Sequence, residues 1–224
     1  MNFENGGQLD IILGTMFSGK TTNLLSKISK MAELNYSILY LNYILDTRST
    51  TQYSTHNPFI DTNNISILSK LNVSMTKTKT LMDLDIEIKD IIIIDEAHFF
   101  SDLIEFVNKC LDLNKYVIVA GLQADSEGNK FGKILDLIPI CSNIEKLHAY
   151  CSECAKCKKC TIATYSKMIT KTKSQVNIGG KDKYIPVCRF HYKSTDQIKS
   201  NIPTKSKIEK VYENISNNQN NYFN

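Results

Sequence analysis

The chain lacks what would place it in a membrane or along a nucleic-acid backbone. Its first residues, Met1-Asn2-Phe3-Glu4-Asn5-Gly6-Gly7, have neither a basic start nor an apolar core. No apolar run approaches the roughly 20 residues that a membrane span needs. An intracellular, cytoplasmic protein with no membrane partner is therefore expected. A dense basic face is missing too: 27 Lys+Arg stand against 23 Asp+Glu, a formal net charge of +4, so no nucleic-acid partner is expected. Arginine is confined to Arg48 and Arg189. At 224 residues the chain has room for one α/β core and a small appended module, but not for two full nucleotide-binding lobes.

What is present begins with Gly14-Thr15-Met16-Phe17-Ser18-Gly19-Lys20-Thr21, a full match to the phosphate-binding loop G-x-x-x-x-G-K-[ST]. Ile11-Ile12-Leu13 before it reads as a buried strand. Leu24, Leu25, Ile28, Met31 and Ala32 after it recur at the spacing of one helix face. In that setting the loop N–H groups and the helix N-terminus face phosphate oxygens, Lys20 reaches the β- and γ-phosphates, and the Thr21 hydroxyl is placed for Mg²⁺. ATP with Mg²⁺ is the ligand this predicts.

Ile91-Ile92-Ile93-Ile94-Asp95-Glu96 is the second anchor. Four consecutive β-branched residues predict a strand buried on both faces, and carboxylates directly after it lie at the sheet edge where ligands bind. Asp95 is then placed to serve Mg²⁺, and Glu96 to take a proton from the attacking hydroxyl or water. Ser37 to Tyr43, Ile65 to Leu68 and Tyr116 to Ala120 read as further strands. Asp102 reads as the cap of a helix through Leu103, Ile104, Val107, Cys110 and Leu111, and Phe131, Ile134, Leu135 and Ile138 as an amphipathic helix ended by Pro139. Strands alternating with helices predict a parallel sheet flanked by helices. Asp46-Thr47-Arg48 follows the second strand, and two readings stand for Arg48: a phosphoryl-gripping fork, or a surface pair with Asp46.

The late sequence has another texture. Of seven cysteines, Cys151, Cys154, Cys157, Cys160 and Cys188 cluster, and Cys188-Arg189-Phe190-His191 is a C-x-x-H. In a reducing compartment this predicts structural Zn²⁺, with either Cys151/Cys154 or Cys157/Cys160 completing the four ligands. Gln175 to Gly180 ends in a glycine pair and reads as a loop able to approach a ligand closely. Beyond Thr195 the Ser/Lys/Asn-rich tail is expected to be disordered.

From about Leu13 to Tyr192 the ordered set of motifs resembles the cytosolic, zinc-containing (type II) thymidine kinases. The matches, in order, are the phosphate loop, Asp46-Thr47-Arg48, Ser54-Thr55-His56, Ile94-Asp95-Glu96-Ala97-His98-Phe99-Phe100, Phe131-Gly132-Lys133-Ile134-Leu135, and Ile178-Gly179-Gly180-Lys181-Asp182-Lys183-Tyr184 ahead of Cys188. The resemblance implies an α/β fold of the P-loop (RecA-like) kind, with a parallel sheet flanked by helices and a small zinc-binding lasso domain. It divides the chain into a nucleotide-binding domain at 1–147, a zinc and lasso domain at 148–192, and a polar tail at 193–224. The implied reaction moves the γ-phosphate of ATP to the 5′-hydroxyl of thymidine. Glu96 would be the base, Asp95 and Thr21 would serve Mg²⁺, and Asp46, Arg48 and His98 would join Gly14 to Thr21 at the nucleotide. His98 stands where the family commonly has glutamine.

The nucleoside would be held by the main chain of Gln175, Val176, Asn177, Ile178 and Gly179, with Tyr184 packing beside it. Met16, Phe99, Leu122 and Phe131 would line the pocket, and Ser126 in place of a family phenylalanine would leave one wall more open. Lys146-Leu147-x-Ala149-x-Cys151 fits the family without a gap, which favours Cys151, Cys154, Cys188 and His191 as the zinc ligands, His191 replacing a fourth cysteine. Feedback by thymidine triphosphate and a homotetramer also follow by resemblance, while the choice between thymidine and deoxyuridine as substrate stays open at this point. The competing reading is a nucleic-acid-dependent P-loop ATPase, since Asp95-Glu96-Ala97-His98 spells a helicase box; the missing second lobe argues against it.

Overall fold

In a computed structural model of the chain, the described residues are 6–44, 72–169 and 183–194. Asp46, Arg48, Ser54 to His56, Ile65 to Leu68, Gln175 to Gly179 and the tail from Thr195 lie outside them. Among the described residues, β1 (Gln8–Gly14), β2 (Ile38–Tyr43), β3 (Val73–Thr78), β4 (Ile91–Ile94), β5 (Tyr116–Gly121) and β6 (Asn143–Leu147) form one sheet in the order β3-β2-β4-β5-β1-β6. Every neighbouring pair is parallel. Strand β5 therefore stands between the strand that feeds the phosphate loop and the strand that carries Asp95.

The four isoleucines of β4 are all buried because both faces of the sheet are covered. On one face Ile12, Tyr40, Ile91, Ile93, Ile118 and Ala120 pack against Leu24, Leu25 and Ile28 of α1 (Lys20–Ala32). On the other, Ile11, Leu41, Ile92, Ile94, Val117 and Val119 pack against Leu103, Phe106 and Val107 of α2 (Leu103–Asp112), together with Ile134 and Leu137. Alternating residues of one strand thus serve two cores, and the parallel pairing of β4 with β5 and of β5 with β1 puts the carboxyl end of β4 at the sheet edge of the phosphate loop. No helix among the described residues is long and apolar enough to cross a membrane.

Two local expectations are corrected. The segment after Phe131 is a 3-10 helix, Ile134–Ile140, with Pro139 inside it. Its three-residue period puts Ile134 and Leu137 on one buried face and Ile138 off it, exposed; Ile140, the last residue of the helix, is exposed as well. Asp102 precedes α2, but its side chain does not cap the helix; its Oδ2 accepts from Leu81 N at 2.6 Å and Met82 N at 3.0 Å. Two N–H groups of the preceding turn compete successfully for the carboxylate.

Past the sheet, β7 (Ala149–Tyr150) pairs antiparallel with β8 (Ile162–Ala163), and β9 (Tyr165–Met168) with β10 (Tyr184–Val187). By its contacts the chain divides into Met1–Arg189 and Phe190–Asn224. The short helix Arg189–Lys193 runs across that division, and in the second unit Ser194 Oγ donates to Phe190 O at 2.7 Å.

Candidate active site

The phosphate loop leaves β1 and turns through two left-handed residues, Phe17 at φ 63° and Gly19 at φ 87°, before α1 begins at Lys20. Gly19 takes this conformation without cost, and the alternation of backbone signs curls successive N–H groups toward one point. Lys20 is buried, its Nζ donating to Thr15 O at 2.9 Å and Gly14 O at 3.4 Å. One residue on, Thr21 Oγ1 donates to Asp95 Oδ2 at 2.9 Å, across the end of β5.

Asp95 is held on three sides: Tyr40 OH donates to Oδ2 at 2.8 Å and Glu96 N to Oδ1 at 2.8 Å, beside the Thr21 bond. Burial, and next the charge of Glu96, push its carboxyl up from 3.8 to about 6, against the three hydrogen bonds that pull it down. A buried carboxylate paired with a threonine hydroxyl at a phosphate loop has the donor chemistry for Mg²⁺, which takes hard oxygen ligands. Glu96 is buried in the left-handed conformation, φ 52° and ψ 36°. This turns its side chain away from that of Asp95 and toward His98, whose Nε2 lies 3.4 Å from Glu96 Oε2.

The aromatic wall assembles from three segments. His98 lies 4.2 Å from Phe99 and 4.5 Å from Phe131 between ring centroids; Phe99 and Phe131 meet edge to face at 5.6 Å. Tyr43 at the end of β2 stacks on Phe99 at 5.1 Å. Leu122 N donates to His98 Nδ1 at 3.1 Å, which attaches Leu122 to the same group. Ser126 sits in the turn that follows, bounded by the Ala124–Lys130 bridge and organised by Asp125 Oδ1, which accepts from Glu127 N and Asn129 N, both at 2.9 Å. Met16 is buried, and its N–H donates to Ser166 Oγ of β9 at 2.9 Å, tying the phosphate loop to the late hairpin. Tyr184 lies buried opposite Met168 in that hairpin.

Several of these contacts have no counterpart in the sequence reading: Tyr40 on Asp95, Ser166 on Met16, and Tyr43 on Phe99. A hydroxyl-bearing side chain inside the apolar run Ile38-Leu39-Tyr40-Leu41 was the available signal for Tyr40.

One ligand atom from each of Cys151, Cys154 and Cys188 lies within 4.8 Å of the others, and His191 of the C-x-x-H is the fourth donor of the set. Cys154 and Cys188 sulfurs are 4.0 Å apart; a Zn–S length of about 2.3 Å would set tetrahedral sulfurs roughly 3.8 Å apart, so the donors fit zinc. Burial opposes ionisation of Cys151, but backbone N–H groups of Cys154, Cys188 and Glu153 draw its thiol down to about 6, toward the thiolate a metal needs. Cys157 and Cys160 are exposed on the turn beyond.

Comparison with known proteins agrees with this geometry. The family model for thymidine kinase matches residues 7–192. The cytosolic thymidine kinase of Bos taurus is 36% identical over 188 residues, covering 83% of this chain and 72% of the relative. The human cytosolic thymidine kinase is 35% identical, with coverage of 83% and 73%. The thymidine kinase of sheeppox virus is 36% identical, with coverage of 83% and 97%.

Proposed function

The chain belongs to the thymidine kinase family and phosphorylates thymidine, and we propose that it does so by moving the γ-phosphate of ATP in line onto the 5′-hydroxyl, with Glu96 as the base. The observation that carries the assignment of roles is the junction at the end of β5, where Thr21 meets Asp95 and the buried Glu96 turns toward the aromatic wall. The loop residues Gly14 to Thr21 hold the phosphates through backbone N–H groups, and Lys20 exchanges its loop carbonyls for β- and γ-oxygens. Mg²⁺ would neutralise the charge that develops on those oxygens. Thr21 and Asp95, already joined by a hydrogen bond, would hold it. Arg48 and Asp46 complete the phosphate contacts. Glu96 accepts the 5′-hydroxyl proton as the O–P bond forms and the bond to the ADP oxygen breaks.

Met16, Phe99, Leu122, Phe131 and Tyr184 line the nucleoside pocket, with Ser126 leaving one side open, and the main chain of Gln175 to Gly179 reads the pyrimidine edge. Cys151, Cys154, Cys188 and His191 would hold zinc, which would cross-link the late segment without taking part in the reaction. Residues 1–147 then serve the nucleotide, 148–192 the nucleoside and zinc, and 193–224 form a tail. Acceptance of deoxyuridine, inhibition by thymidine triphosphate, a homotetrameric assembly and a cytoplasmic location belong to the same reading. The helicase-like spelling Asp95-Glu96-Ala97-His98 is not favoured as an ATPase box, because the family match runs through both the phosphate loop and the zinc ligands.

A coupled assay with ATP, Mg²⁺ and thymidine, beside deoxycytidine and a no-nucleoside control, tests the reading. ADP release that requires thymidine, with thymidine monophosphate formed, is the expected result; equal release in every tube would overturn it.

A further inference from the structure

His98 has a role for which its exposure leaves little alternative. Its side chain is 0% exposed, and Glu96, which it faces, is 11% exposed. Leu122 N–H points at Nδ1 from 3.1 Å. A backbone N–H can only donate, so Nδ1 must present its lone pair, and the ring proton of the neutral imidazole sits on Nε2. Nε2 is the atom 3.4 Å from Glu96 Oε2, within ion-pair range but not a formed hydrogen bond in the ligand-free site; catalytic contacts that are long in such a site tighten when the reacting groups arrive.

The surroundings are shaped for this ring. Phe99 and Phe131 clasp it. A Cβ on Gly121 would lie 3.0 Å from Nδ1, and a Cβ on Gly132, which itself sits at φ +60°, would run into the His98 carbonyl oxygen. A neutral ring with its proton on Nε2 would present an N–H to the Glu96 carboxylate without adding a fixed cation to compete with Lys20 for phosphate.

We infer that His98 is a positioning residue: through Nε2–H it aims the Glu96 carboxylate, and through Nδ1 it couples that aim to the backbone of Leu122. The inference deepens the reading of Glu96 as the base and rests on it. It makes the ring a brace between the wall of the nucleoside pocket and the proton acceptor, so that a displacement at Leu122 is felt at Glu96.

The test uses the full chain and four proteins: wild type, His98→Phe, His98→Gln and Glu96→Gln. Phenylalanine fills the space and has no N–H; glutamine can accept from Leu122 and donate to Glu96 with one amide. His98→Phe should lose about 10- to 100-fold in kcat, as is usual when a supporting partner of a reacting group is removed, with KM for ATP and thymidine within about twofold. His98→Gln should recover most of that loss, and in a Glu96→Gln background His98→Phe should cost nothing more. A second readout is independent of turnover: ¹⁵N spectra of the imidazoles, only four in the chain, with the signal missing from His98→Gln assigned to His98. It should show a neutral ring protonated at Nε2. A proton on Nδ1, a charged ring, an unchanged kcat in His98→Phe, or a rise in the KM for ATP alone would each overturn the inference. If Glu96→Gln itself turns over normally, the base assignment fails and takes the inference with it; if only Glu96→Gln is impaired, the inference alone fails.

Discussion

Replacing Asp95 with asparagine should stabilise the protein while removing the carboxylate proposed to serve Mg²⁺. The carboxyl is 1% exposed and is pushed up from 3.8 to about 6 by burial and by Glu96. The native state therefore binds this proton more tightly than the unfolded chain. The resulting stability is fully present below pH 3.8 and is lost as pH rises through about 6. The difference of about two units, at 1.36 kcal/mol each, puts the cost of the ionised group at neutral pH on the order of 3 kcal/mol.

Asparagine removes that charge. Its carbonyl can still accept from Thr21 and Tyr40, but its NH₂ then meets Glu96 N–H, a lost hydrogen bond of about 1 kcal/mol. The net gain is about 2 kcal/mol, or roughly 4–8 °C in Tm for a chain of this size. Thermal melts without nucleotide or divalent cation should show Asp95→Asn above wild type at neutral pH, with the gap narrowing as pH is lowered through 6. A variant that melts at or below the wild-type temperature at neutral pH would refute the reasoning, because Asp95 would then be a net stabiliser despite its burial.

Three further outcomes follow from the contacts. Cys157→Ser and Cys160→Ser should keep one zinc per chain by metal analysis, while Cys151→Ser or Cys188→Ser should lose it and melt earlier; zinc lost with the exposed pair would reassign the ligands. Gly132→Ala places a Cβ against the His98 carbonyl in a left-handed residue, so a loss of at least about 2 kcal/mol in denaturant unfolding is expected, and a neutral result would contradict the close packing there. Tyr40→Phe removes one donor from Asp95 and should cost about 1.5–3 kcal/mol at neutral pH, where the acceptor is charged. The cost should shrink below pH 6, where Asp95 is protonated; a loss independent of pH would mean that Tyr40 matters only as packing.

The sequence made legible those parts of the site that are contiguous. Gly14 to Thr21 and Ile91 to Glu96 carry their geometry in local spacing and meet at one sheet edge, whereas spacing alone left open which C-x-x-C pair joins Cys188. Partners brought together from far along the chain were not legible. Met16 meets Ser166 across 150 positions, and Tyr40 meets Asp95 across 55; nothing local marks either pair. Edge strands were hidden for a different reason. Strand β3, Val-Ser-Met-Thr-Lys-Thr, and β6, Asn-Ile-Glu-Lys-Leu, are only partly covered, so they lack the apolar run that revealed β4. The orientation of His98 was likewise out of reach, since it depends on Leu122 N–H and on space left by Gly121 and Gly132 rather than on the motif that contains it.

A single-turnover experiment tests most directly whether Glu96 is the proton acceptor in thymidine phosphorylation. Wild type and Glu96→Gln are each loaded with labelled ATP and Mg²⁺, mixed with thymidine, and followed for both bound nucleotide and thymidine monophosphate. Equal ATP binding and a loss of at least about 100-fold in the rate of monophosphate formation are expected in the variant. Equal rates in the two proteins would remove Glu96 from the reaction.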